Sequence, residues 1–184
     1  MPDSYPETIN FEINRTQLER YMNRTGLYVI SLIFLFGGIF FGFLRAIGAA
    51  NDMHFKSKDE LYLFLIGRMS ICVGIIIVAI FCFYVLGIRR HSKRYATALD
   101  VSVEGSFLRI REYSKGLVDR KIHFRSIVDY SNIQSPMMTR YGIQSLKMNT
   151  TSGGQYSAIT ILGIEDCLKV RDILSDIDQQ RERN

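Results

Sequence analysis

Two long uncharged apolar runs, joined by a short polar connector, constrain this 184-residue chain more than any other feature. The first is Leu27 to Leu44, LYVISLIFLFGGIFFGFL. The second is Met69 to Ile88, MSICVGIIIVAIFCFYVLGI, followed at once by Arg89, Arg90, His91, Lys93 and Arg94. A helix of about 18 to 20 apolar residues is long enough to cross a bilayer core of roughly 30 Å. A helix of a soluble core needs an apolar stripe on one side only, not apolar residues all round. The expected organisation is therefore a polar tail at residues 1–26, a transmembrane hairpin at 27–94 with spans at 27–44 and 69–88, and a separate domain at 95–184 of size sufficient for its own core. The first run starts too far from Met1, and is too long, to read as a cleaved signal; it is expected to stay in the membrane as an anchor.

The net charge of +5 is concentrated just after the second run, the pattern of a cytoplasmic boundary and not of a nucleic-acid surface. Arg15, Arg20 and Arg24 precede the first run, whereas the connector from Arg45 to Arg68 sets Asp52, Asp59 and Glu60 against Arg45, Lys56, Lys58 and Arg68, a smaller basic excess than follows the second run. Both termini are thus expected in the cytoplasm, with the connector outside. Within the tail the apolar positions are Ile9, Phe11, Ile13, Leu18, Tyr21 and Met22, and a short helix from Thr16 to Asn23 lying on the membrane surface is expected. Arg68 interrupts the apolar stretch that begins at Leu61. It reads either as an intramembrane functional group or as a side chain that reaches to the outer interface, the second being preferred. Gly38 and Gly42 form a small-residue pair in the first span, as do Ser70 and Gly74 in the second. Such pairs let helix backbones approach, and packing of the two spans is the expected use, with a homomeric contact between copies the alternative.

From Tyr95 the pattern changes to period two. Strands are expected from there to Glu104, from Phe107, over Val118–Phe124, Ile127–Ile133, Ile143–Thr150 and Tyr156–Leu162, with turns at Glu104-Gly105-Ser106, Ser114-Lys115-Gly116 and Ser152-Gly153-Gly154. Val170, Ile173, Leu174 and Ile177 then follow helical spacing, and a frayed tail is expected from Asp178. The layout is an antiparallel sheet closed at one end by a helix, so the fold class is α+β.

The stretch Ile122 to Leu146, IHFRSIVDYSNIQSPMMTRYGIQSL, resembles the bacterial membrane-flanked pleckstrin-homology (PH) domains. Arg125, Ile127, Asp129, Gln134, Ser135, Pro136, Met137, Met138 and Gly142 carry the likeness, which continues through Gly153 and Gly154 to the closing helix. The resemblance implies a small PH-like antiparallel β-barrel plugged by a C-terminal helix, and oligomeric assembly at the inner-membrane face. It implies little about function, and the first hairpin, with Glu104, Gly105 and Ser106, lacks the preceding lysine expected of inositol-phosphate recognition.

Chemistry-bearing constellations are few. Asp119, His123 and Asp129 fall on neighbouring strands but read as surface polar residues, and His54 and His91 have no metal-ligand spacing. Cys72, Cys82 and Cys167 form no paired motif. No enzyme activity, cofactor, metal, nucleic acid or small-molecule substrate is expected. The expected role is a membrane-anchored interaction or scaffold module that self-associates or docks a membrane protein. Its partner surface is placed in the loop containing Met137, Met138, Arg140 and Tyr141, because methionines adapt to partner surfaces; the alternative is that one or both methionines tuck under the barrel as its plug. The alternative is an anionic-lipid headgroup sensor using Arg89, Arg90, Lys93, Arg94, Arg109 and Arg111.

Overall fold

The computed structural model describes residues 8–51, 57–152 and 155–182; His54 and the expected Gly153–Gly154 turn lie outside the described residues. The chain is α+β, with two long apolar helices and two antiparallel sheets. It divides into two units, a helical one covering Met22–His91 and a β-rich one assembled from both flanks of that segment.

In the helical unit, α1 (Arg15–Asn51) and α2 (Lys58–Phe83) are the long apolar elements. Ser57 caps α2 by accepting the Glu60 N–H at 3.2 Å, and Asp59 and Glu60 sit in the first turn, where negative charge suits the helix dipole. A π-helical stretch, Tyr84–Ile88, continues α2 into α3 (Arg89–Ala98). Both helices are long and apolar enough to cross a membrane, and almost none of their apolar surface is buried. Phe36 and Phe41, for instance, are 70% and 72% exposed.

The β-rich unit contains one sheet of four strands in the order β1 (Thr8–Asn10), β2 (Asp100–Glu104), β3 (Phe107–Tyr113), β4 (Leu117–His123), and one of three, β5 (Ile127–Ile133), β6 (Gln144–Ser152), β7 (Gln155–Ile164). The sheets do not close on one another into a barrel among the described residues. Val101, Val103, Leu108 and Ile110 from the first sheet, and Leu146, Met148 and Ile161 from the second, form the core. The closing helix, α5 (Cys167–Glu182), adds Cys167, Val170, Leu174 and Ile177 from one face. Burial pushes the Cys167 thiol up to about 12, so it stays protonated and inert.

Four features differ from the sequence-based expectation. The tail is not separate. β1 pairs with β2, Thr8 opposite Glu104 and Asn10 opposite Ser102, and Phe11 N–H donates to Val101 O at 3.0 Å. Ile13 bridges Ile164, and Asn14 N–H donates to Gly163 O at 3.0 Å. Nor is there a short surface helix over Thr16–Asn23. Asn14 caps α1 through Oδ1, which accepts the Gln17 N–H, and Leu18 in its first turn is fully buried. Leu18 rests on Gly163, whose φ of +86° suits glycine and where a methyl group would stand 2.8 Å from Leu18 Cδ2. Finally, Tyr95–Ala98 is helix, not strand. α3 carries on from the preceding helix, Leu99 N–H donates to Tyr95 O, and Ser92, Tyr95 and Ala96 are buried at helical spacing. At the other end α5 reaches Glu182, beyond the tail boundary expected at Asp178.

Candidate functional site

The helical unit is held by close approach at glycines. A methyl group at Gly26 would stand 2.8 Å from Ile88 Cγ2, one at Gly38 2.5 Å from Ile76 Cδ1, and one at Gly42 3.2 Å from Cys72 Sγ. The register is strict. Twelve residues up α1, from Gly26 to Gly38, match twelve down from Ile88 to Ile76; four more, to Gly42, match four more, to Cys72. Gly38 and Gly42 therefore pack the hairpin. Ser70 and Gly74 do not. Ser70 Oγ donates back to Ile66 O at 2.9 Å, and a methyl group at Gly74 would meet nothing within 4 Å.

Extending the register sets Arg24 opposite Arg90 at one end. At the other it sets Arg45 opposite Met69 and Ala46 opposite Arg68. Between these two levels α1 runs through 25–44, and α2 with its π-helical continuation through 69–88, without a charged residue. At 1.5 Å per residue each stretch is about 30 Å long.

Arg89, Arg90, Lys93 and Arg94 are exposed on α3. Arg94 Nη1 donates to the Tyr113 hydroxyl at 2.9 Å and lies over that ring, so Arg94 is partly engaged. Arg109 and Arg111 are more so. The β3–β4 register puts Arg111 opposite Asp119 and Arg109 opposite Lys121. Arg109 binds both Asp119 and Glu104, Arg111 Nε reaches Asp119 at 3.1 Å, and Lys121 Nζ reaches Glu104 at 2.9 Å. The Arg109 and Arg111 guanidinium groups hold the Asp119 carboxyl down to about 2. Lys121 and Arg109 likewise lower Glu104. Each basic group of this face is matched by a carboxylate.

The Gln134–Tyr141 segment is not a free loop. Ser135 caps a one-turn helix, α4 (Pro136–Arg140), accepting the Met138 N–H at 3.2 Å, with Pro136 in its first turn. Met138 is buried in the core, and the Tyr141 ring meets Tyr21 edge-on with centroids 6.2 Å apart. Arg140 is exposed and Met137 half-buried. The adaptable pair expected at 137 and 138 is thus reduced by burial of the second methionine.

A groove of about 510 Å³ runs between β5 and α5, lined by Val128, Asp129, Tyr130, Arg171, Asp172 and Ser175 among others. β5 is an edge strand, bonded to β6 on one side only, with a bulge between Ile127 and Asp129. Sequence reading missed this groove, which depends on where the closing helix docks; only the sparse charge of IVDYSNI marked the strand.

Acid–base chemistry finds no support. Asp119 is bound to arginines, His123 Nδ1 accepts the Arg125 N–H and its ring stacks edge-on with Phe107, and Asp129 accepts from Ser131. No group of three His, Cys, Asp or Glu side chains fit to hold a metal occurs among the described residues. No protein-family model, curated protein or solved structure matches the chain.

Proposed function

We propose that this protein is a non-enzymatic, membrane-anchored interaction module of PH-like architecture, held at the cytoplasmic face of the inner membrane, and that it associates with a second copy of itself. The observation that carries the reading is the pairing of β1 with β2. These strands flank the hairpin, so a membrane-inserted hairpin must return the chain to the side it left. The charge-free 30 Å between the arginine levels and the exposure of the apolar side chains support insertion. The excess of Arg89, Arg90, Lys93 and Arg94 supports a cytoplasmic location for the β-rich unit. Sheets of four and three antiparallel strands with a C-terminal helix support the PH-like assignment, with two departures: the sheets do not close into a barrel among the described residues, and the first strand comes from before the hairpin.

We assign the self-contact to the β5 edge and the adjoining groove, in place of the Met137–Met138 segment. Val128 and Ile133 are 60% and 43% exposed there, and Asp129 is the strand's one charged residue. The β4 edge carries Asp119, Arg120 and Lys121, charges that discourage strand pairing. Confinement of two copies to one membrane raises their effective concentration. Light scattering or native mass spectrometry of the detergent-solubilised chain tests this: an oligomer that Val128→Lys converts to monomer supports it. A wild-type monomer that floats with liposomes of one headgroup type favours the alternative, a lipid-headgroup sensor. The exposed Arg89, Arg90 and Lys93 support general attraction to anionic lipid at about 1 kcal/mol per charge. The internal pairing of Arg109 and Arg111 speaks against their use for selectivity.

A further inference from the structure

We propose that Arg45 of α1 and Arg68 of α2 together bind the phosphate of a phospholipid in the far leaflet. The inference rests on the membrane reading of the hairpin and adds a ligand site at its outer end.

Four observations lead there. The glycine register brings Arg45 and Arg68 to within one residue of the same level, on helices that Gly42, Cys72 and the buried Ala46 hold in close approach. Arg68 lies over the Phe64 ring, its guanidinium carbon 5.3 Å from the centroid. Phe64 is one turn toward the start of α2, so the guanidinium points along α2 away from the 69–88 span, over the apolar Leu61–Ile66 stretch and in the direction of the outer boundary, as an arginine reaching for the interface does. Tyr62, 59% exposed, stands half a turn beyond, where aromatic residues mark a headgroup layer. Neither arginine has a carboxylate within ion-pair distance among the described residues, although every basic group on the β3–β4 face has one.

Two like charges at one level, beside an apolar slab, repel each other, and a shared anion would relieve that repulsion. Positive charge on the outer flank also runs against the orientation rule that the inner cluster obeys, so orientation does not account for this pair. A phosphodiester is the anion present at that depth. Its two free oxygens suit the forked donors of guanidinium groups.

The test is native mass spectrometry of the full chain in detergent, titrated with dioleoylphosphatidylglycerol or with inorganic phosphate. Wild type is compared with Arg45→Gln/Arg68→Gln and, for the inner end, with Arg89→Gln/Arg90→Gln. The far-end double variant is expected to lose one tightly held lipid, its affinity falling roughly fivefold per arginine, about 25-fold in all. The inner-end variant keeps that lipid, and millimolar inorganic phosphate does not displace it. Equal lipid retention by wild type and the far-end variant overturns the site. Displacement by inorganic phosphate overturns its assignment to lipid. Failure of the membrane reading is seen separately. The chain has no tryptophan, so Ile77→Trp, at an exposed mid-span position, gives a single reporter in vesicles of phosphatidylcholine brominated at mid-chain. Strong quenching supports insertion; an unquenched reporter overturns the membrane reading and this site with it.

Discussion

Replacing Leu18 with alanine separates the two accounts of the N-terminal segment. If residues 16–23 formed a helix on the membrane surface, truncating Leu18 would leave the β-rich unit unaffected. In the structure Leu18 is fully buried against Gly163 and its neighbours. Large-to-small changes at such sites cost about 2–5 kcal/mol, a large fraction of the roughly 5–15 kcal/mol that holds a domain folded. Hydrogen exchange followed by mass spectrometry on the full-length protein in detergent reads this locally, through the amides of β2 and β7, which the segment covers. Where exchange follows opening, each 1.4 kcal/mol is a factor of ten, so exchange should accelerate by about 30-fold to a few thousand-fold. Gly163→Ala attacks the same contact from the other side. It imposes a side chain at φ +86° and 2.8 Å from Leu18 Cδ2, and should raise exchange in the same peptides. Unchanged protection of β2 and β7 in both variants would refute the discontinuous unit.

Other outcomes follow from the packing and the charges. Leu174→Ala in α5 should cost about 2–5 kcal/mol, seen as loss of protection across β5 and β6. Gly38→Val should weaken the hairpin by about 1–3 kcal/mol through overpacking and be relieved by Ile76→Ala, read as the yield of a disulfide between cysteines placed at 45 and 69. Asp119 is held at about 2 against an ordinary 3.8. Its folded value is depressed, so its contribution is present above pH 4 and disappears as pH falls toward 2; thermal melts should show that acid limb, and Asp119→Asn should flatten it. Cysteines introduced at 52 and at 184 should be labelled in intact cells only at 52, and labelling at 184 from outside would sink the topology.

What could be read from the residues alone was whatever repeats locally. The two apolar helices announce themselves by absence of charge over 18 to 20 positions, and the strands from Val101 onward by alternation that the core keeps at Val101, Val103, Leu108 and Ile110. The alternation of Ile9, Phe11 and Ile13 carried the same signal, but β1 has three residues and its partner begins some ninety positions later. A pattern so short cannot outweigh the membrane-proximal reading of a tail. Tyr95–Ala98 alternates on paper, yet a helix already nucleated upstream propagates more easily than a new strand begins. The candidate site was least legible. Whether Arg109 and Arg111 are free depends on strand register, which sets Arg111 across from Asp119. Whether Met138 is exposed depends on the turn that Ser135 and Pro136 start.

The pairing of Thr8 with Glu104 also orders events during synthesis. The first sheet cannot be completed until both apolar helices and the whole of β2 have left the ribosome, so β1 waits through the making of the entire hairpin. The closing step joins segments far apart in the chain, the kind of contact that forms late. If the hairpin is membrane-inserted as proposed, a chain whose helices went in with their ends on opposite sides could never make it. It would keep Ser102 and the inner edge of β2 uncovered and Leu18 without its seat, a ready substrate for quality-control proteolysis. On the membrane reading proposed above, completion of the β-rich unit would act as a check on insertion, performed by β1.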